Sequence, residues 1–410
     1  MSAVYLLGGA QTDFARNWHR EGLDIYAMFR EVLEAAVVDA DIDPARIQVG
    51  HVGNFVADLF CGQGLMGGFF AHVFPELSGI PTSRHEAACA SGSIAMLSAM
   101  RDIEAGHYDV ACVLGIELMR NVDGKTGAEH LGAAVWQGQE ATDCDYPWPF
   151  LFDRIGAEYD ERHGLRHEHL ARIAEINFAN AKRNPYAQSR DWQFPAGCFG
   201  EDDKLNPVIE GSVRKLDCGQ ITDGAACVLL VSERAAKEHA RQKGLHLADI
   251  PKIKGWGHRS APLLLEQKLM LSKGQPLVFP HAAATITDTL RRANVGHISA
   301  LDGLETHDCF TITEYMALDH CGLTAPGESW KAIEDGRIEP GGAFPVNASG
   351  GLIGLGHPVG ATGVRMALDC ARQVTGKAGA AQISGAENMI TFNLGGSTTT
   401  CVSLLLGVGA

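Results

Sequence analysis

The chain reads as an α/β fold of two similar halves, with an insertion in the first. Short apolar runs rich in β-branched residues alternate with helix-forming stretches through much of the 410 residues, as strands buried between helical layers do. Two pairs of distant segments resemble each other: DGAACVLLVSERA (223–235) with GGSTTTCVSLLLG (395–407), and IQVGHVGNFVADLF (47–60) with ISALDGLETHDCF (298–310). Such long-range likeness points to an internal duplication. Between 120 and 215 the strand signal gives way to Pro, Trp, His and charged residues. The expected organisation is 1–120 plus 215–240 as one half, 121–214 as the insertion, and 250–410 as the second half.

At the N-terminus, MSAVYLLGGAQTDFAR lacks a basic region before its apolar run and lacks a small-residue cleavage site, so it is read as a first strand. The run SGSIAMLSAMRDIEAG (91–106) is apolar on nearly every side as far as Ile103, which predicts a helix buried between layers. YDVACVLGIEL (108–118) is a short apolar run closed off by glycines, hence a buried strand. No stretch is long and apolar enough to span a membrane. The C-terminus carries neither a peroxisomal tripeptide nor a prenylation box, so a cytoplasmic location is expected.

A net charge of −15, from 34 basic and 49 acidic side chains, disfavours nucleic acid as a partner. An anionic ligand therefore needs a local basic patch. The insertion offers one in Arg154, Arg162, Arg166, Arg172, Lys182 and Arg183, which serve either a phosphate-bearing ligand or a solvated helix face laced with ion pairs. The eleven cysteines form no C-x-x-C pair, so free thiols are expected and neither a disulfide framework nor a zinc ribbon.

Three loops carry candidate chemistry. In RHEAACASGSIAML (84–97), Cys89 stands just ahead of a predicted helix, where unpaired N–H groups and the helix dipole favour a thiolate nucleophile. In NASGGLIGLGHPVGATGVRMALD (347–369), His357 sits between Gly356 and Pro358 in a glycine-dense loop before a helix, the setting of a positioned acid/base group. The spacing from Gly354 is G-x-G-x-x-x-G, which departs from the dinucleotide fingerprint. In ETHDCFTITEY, His307, Asp308 and Cys309 cluster at the end of a predicted strand. No further ligands stand at zinc-like spacing, so acid/base chemistry is read there and no metal.

Cys89-Ala90-Ser91, the run His307-Asp308-Cys309-Phe310, and Gly356-His357-Pro358 together resemble the motif loops of the thiolase superfamily, in order and along the whole chain. The H-D-C-F form is similar to the sterol-carrier-protein type of thiolase. The resemblance implies a five-layer αβαβα arrangement with an inserted loop domain, a homodimer or dimer of dimers, and acyl transfer on coenzyme A with no permanently bound cofactor. It implies Cys89 as the nucleophile activated by His357, and the N–H groups of Cys89 and Gly395 as one oxyanion hole. His307 and His357 would line another, with Cys309 as acid/base at the substrate's α-carbon. One departure stands out: where many thiolases have a second catalytic cysteine in a C-x-G loop, this chain reads FNLGGS, with Asn393 at the cysteine position. Cys401, inside the predicted last strand, is read as an inert packed thiol. The function expected is acetyl-CoA C-acyltransfer. The alternatives are an acyl-condensing or retro-aldol enzyme on the same fold, and a non-catalytic acyl-CoA- or lipid-binding module.

Overall fold

The computed structural model describes residues 3–409. Its main strands are β1 Val4–Gln11, β2 Val49–Gly53, β3 Thr82–His85, β4 Val110–Glu117, β5 Gly224–Ser232, β6 Lys252–Ser260, β7 Gly303–Thr306, β8 Asn388–Gly395 and β9 Thr400–Gly407. They join in one mixed sheet ordered β3-β2-β4-β5-β1-β6-β9-β8-β7. Within the sheet the two halves join where β1 meets β6, in register at Tyr5 and Lys252. Each half repeats one pattern. In the first, β4 runs parallel to β2 and antiparallel to β5, and β5 pairs antiparallel with β1; in the second, β8 runs parallel to β7 and antiparallel to β9, and β9 pairs antiparallel with β6. The segment pairs alike in sequence are therefore equivalent in topology: β5 with β9, and β2 with β7.

The helices that matter here are α1 Ile25–Asp39, α2 Ser91–Glu104, α3 Pro147–His163, α4 His167–Ala181, α5 Glu233–Lys243, α6 Pro280–Arg292, α7 Thr311–His320 and α8 Thr362–Val374. Strand alternation sorts them into layers. Ala111 and Val113 of β4 and Val402, Leu404 and Leu406 of β9 face a core shared with α2 and α8. Cys112 and Leu114 face the opposite core with α1 and α5, while Cys401 and Leu405 face a third with α6 and α7. The result is five layers, with α2 and α8 in the middle. Burial on both sides explains why β4 has no exposed residue and why α2 is apolar nearly all round.

In the second half a tight turn links β8 to β9, whereas in the first the segment 118–223 separates β4 from β5. It contains α3, α4 and a short ribbon at Val208–Glu210 and Val213–Arg214. Where the central layer meets the strands, side chains are excluded. A Cβ on Gly53 would lie 2.6 Å from the Gly92 Cα, and a Cβ on Gly115 would lie 2.4 Å from the Gly360 carbonyl oxygen. The loop carrying His357 is thus pressed, backbone to backbone, against β2, β4 and the start of α2.

Candidate active site

Cys89 lies in the turn between β3 and α2, directly after Ala88, whose φ is +48°. A left-handed alanine costs roughly 1–2 kcal/mol. The Ser91 hydroxyl holds the turn by accepting from the Ala87 N–H at 2.9 Å and donating to the Ala88 carbonyl at 2.6 Å. Cys89 is half-buried and lines a cavity of about 330 Å³. Cys309, His357 and Gly396 line the same cavity, whose wall is mainly apolar, with Met119, Phe152, Phe310 and Val359. Phe152, from the insertion, stacks on Phe310 at 4.3 Å.

His307, carried on the same loop as Cys309, comes beside Cys89 and His357, which are far from it in sequence. The Cys89 sulfur and one ring nitrogen each of His307 and His357 all lie within 4.8 Å of one another. Among the described residues this is the group with the composition and closeness to gather a metal ion. Two buried carboxylates hold the loops in place. Asp308 accepts from the Leu352 N–H at 2.5 Å and from Asn177 Nδ2 of α4 at 2.9 Å; a Cβ on Gly351 would come within 2.2 Å of its Oδ2. Glu117, at the end of β4, accepts from the N–H groups of Phe55, Val56 and Gly360. Burial pushes each of these carboxyls up to about 7.

Burial also carries the Cys89 thiol from its ordinary value near 9 up to about 12, against the pull of its own N–H and that of Gly396. A helix N-terminus stabilises a negative charge by at most ~2 kcal/mol, too little to offset that desolvation. Burial thus opposes the thiolate expected at Cys89, which gives a neighbouring base a part in its attack. Desolvation, followed by the charge of Arg365, pulls His357 down to about 3, and desolvation pulls His307 well below its usual value. Both rings are neutral. The Cys309 thiol is held well above its ordinary value, first by burial and then by Cys89 and Asp308. Cys401 is buried in β9, as the sequence suggests.

Gly395 and the basic residues of the insertion stand in surroundings that their local sequence does not reveal. The Gly396 N–H favours a charge on the Cys89 sulfur. Gly395 makes room for the elbow, since a Cβ there would sit 2.2 Å from the Ala87 carbonyl oxygen. The basic patch of the insertion also disperses. Arg154 pairs with Glu266, Arg162 with Glu158, Arg166 with Glu168 and Glu334, and Arg172 with Glu175 and Glu339. Arg183 donates to Asn180 and to the Ala380 carbonyl, and Lys182 lies 5.4 Å over the Phe194 ring. None of the six lines the cavity, whereas Lys215 does. A charge count over the insertion alone misses Glu266, Glu334 and Glu339, which the second half brings to it. Nothing in the local sequence marks Thr362, Gly396 or Lys215 for the contacts they make here, and Asn393 stands out only as a departure from a motif.

Residues 4–196 match the thiolase N-terminal domain, and residues 266–408 match the thiolase C-terminal domain-like family. An acetyl-CoA acetyltransferase of Methanothermobacter thermautotrophicus is 32% identical over 402 residues, 98% of each chain. Rabbit (Oryctolagus cuniculus) sterol carrier protein 2 is 26% identical, over 98% of this chain and 71% of its own. Two solved structures share the fold. The Ltp2-ChsH2(DUF35) aldolase has a TM-score of 0.77 at 23% identity, covering 99% of this chain and 98% of its own. Human mitochondrial 3-ketoacyl-CoA thiolase in complex with CoA has a TM-score of 0.70 at 14% identity, covering 100% and 98%.

Proposed function

The chain belongs to the thiolase family, and from that premise we propose that it is an acetyl-CoA C-acyltransferase that makes or cleaves the carbon–carbon bond of a 3-ketoacyl-CoA. The observation that carries this reading is the convergence of the Cys89 sulfur and two imidazoles within 4.8 Å, with a second cysteine, Cys309, in the same apolar cavity. In cleavage, the Cys89 sulfur attacks the 3-keto carbonyl while its proton passes to His357 Nε2. The tetrahedral oxyanion is met by the N–H groups of Cys89 and Gly396. As the bond between the α-carbon and the former keto carbon breaks, the acetyl-CoA enolate takes a proton from Cys309, a role that suits a thiol kept protonated by burial. A CoA thiol then gives up its proton and attacks the acyl-cysteine, releasing a shortened acyl-CoA and restoring both cysteines to their thiol form. Synthesis runs the same steps in reverse.

The CoA arm is proposed to enter past Lys215 and Gly219–Ile221, which line the cavity, with its nucleotide over the insertion. The test is acetyl-CoA with intact-mass detection. The wild type should gain one acetyl group on Cys89 and Cys89→Ala none, while Cys309→Ala should still acetylate but lose label exchange between acetyl-CoA and acetoacetyl-CoA by at least a hundredfold. A retro-aldol enzyme or a lipid-binding module on this fold has no need of an acyl-enzyme. Absence of acetyl on Cys89 would favour them.

A further inference from the structure

His307 and His357 meet edge to face with ring centroids 5.2 Å apart. Two neutral imidazoles that close either share a role or divide one, depending on which nitrogen of each carries the hydrogen. We propose that Asn393 is a positioning residue that holds His307 as the Nε2–H tautomer, making His307 the hydrogen-bond donor of the pair and leaving His357 as its acceptor. What the division is used for rests on the acyl-transfer reading; the division itself follows from the hydrogen bonds.

Asn393 is fully buried. Its Nδ2 lies 3.2 Å from the Cys89 carbonyl oxygen and 3.0 Å from His307 Nδ1, and its Oδ1 accepts from the Ser93 hydroxyl at 2.7 Å. A carbonyl oxygen cannot donate, so the amide atom facing Cys89 is the NH₂. The second hydrogen of that NH₂ then points at His307 Nδ1, which has to present a lone pair. A neutral ring with a bare Nδ1 carries its hydrogen on Nε2. Space for the chain is provided by Gly363, where a Cβ would lie 2.3 Å from the Ser93 hydroxyl oxygen and 2.9 Å from Asn393 Oδ1.

The same logic gives His357 the opposite answer. Its Nδ1 is 2.7 Å from the Thr362 hydroxyl, which donates to the Pro358 carbonyl at 3.1 Å. With the hydroxyl hydrogen so engaged, the oxygen accepts from His357 Nδ1–H. Its Nε2 is left as a lone pair, buried and without a protein partner. Each ring's tautomer is thus set by a backbone carbonyl acting through one side chain. A thioester oxygen that gains negative charge beside the pair meets one N–H donor, and the Cys89 proton finds one free base. Two rings in the same tautomer would lose one of these functions. Asn393, where many thiolases carry a second cysteine, therefore has a task of its own.

The test is ¹⁵N NMR of the full-length enzyme labelled at histidine, with the two rings assigned from His307→Asn and His357→Asn. The expected pattern is a protonated Nε2 and bare Nδ1 for His307, and the reverse for His357. In Asn393→Asp a carboxylate oxygen faces His307 Nδ1 and should draw the hydrogen there. Acetylation of Cys89 should persist while label exchange between acetyl-CoA and acetoacetyl-CoA falls about 10²–10³-fold, the cost of one lost oxyanion donor. Asn393→Ala removes the amide without adding a charge and keeps the test open if Asn393→Asp does not fold; with no donor left at Nδ1 it should give a mixed nitrogen pattern at His307 and about a tenfold loss of exchange. A protonated His307 Nδ1 in the wild type overturns the proposal, as does an unchanged His307 pattern in the folded variants. Failure of the acyl-transfer reading would look different: the tautomers as stated, but no acetyl on Cys89.

Discussion

His357 shows at the scale of one residue how burial decides chemistry. Its ring is desolvated and lies in the field of Arg365, which together bring it down to about 3, whereas in an unfolded chain it titrates near 6.5. The base is therefore free of protons across the physiological range. The rate of Cys89 acetylation should show no acid limb with an apparent pKa near 6.5, and a limb there that vanished in His357→Asn would overturn this assignment. The effect on stability has a definite sign. As pH falls from 6.5 toward 3 the unfolded chain takes up a proton that the folded ring refuses, so stability is lost as pH falls through that window and is intact above it. The melting temperature of the wild type should consequently drop more between pH 6.5 and 4 than that of His357→Asn.

At the scale of elements the site is an assembly of strand ends and loops pressed together without side chains between them. The turn before α2 can place Cys89 only because Ala87, Ala88 and Gly395 are small. With the Ala87 carbonyl oxygen 2.2 Å from where a Cβ would stand, Gly395→Ala must push the end of β8 away from the elbow, and the Gly396 N–H moves with it. Acylation of Cys89 should fall about 10²-fold or more, the cost of one displaced oxyanion donor, while far-UV circular dichroism stays that of the wild type. A variant acylating at the wild-type rate would show that the Gly396 N–H is not part of the oxyanion hole.

For the whole molecule the telling feature is an edge. β3 closes the first half-sheet, bonded to β2 on one side only, and Thr82 and Ser83 are exposed there. An open edge strand next to a reactive loop is a liability unless something covers it, and the cover expected from the dimer that the family resemblance implies is a second copy of the same chain. Sedimentation velocity at micromolar concentration should give a dimer, and a Thr82→Pro substitution, which removes an outward-facing N–H of β3 and leaves its ladder with β2 in place, should shift it toward monomer. A wild-type monomer would rule this interface out. Among the described residues no helix is long and apolar enough to cross a membrane.

Fold class, duplication, the presence of an insertion and the loops bearing Cys89, His307, Cys309 and His357 were legible in the sequence, because each leaves a local mark. Buried strands are continuous apolar runs, repeated units repeat their pattern, and backbone that must pack closely is rich in glycine. What sequence could not supply were quantities that depend on neighbours distant along the chain. The thiol state of Cys89 depends on desolvation by the cavity around it. The pairing of Arg154, Arg166 and Arg172 depends on acids that the second half brings over. The tautomers of His307 and His357 depend on which way two carbonyls point, a matter of three-dimensional orientation that only the folded chain decides.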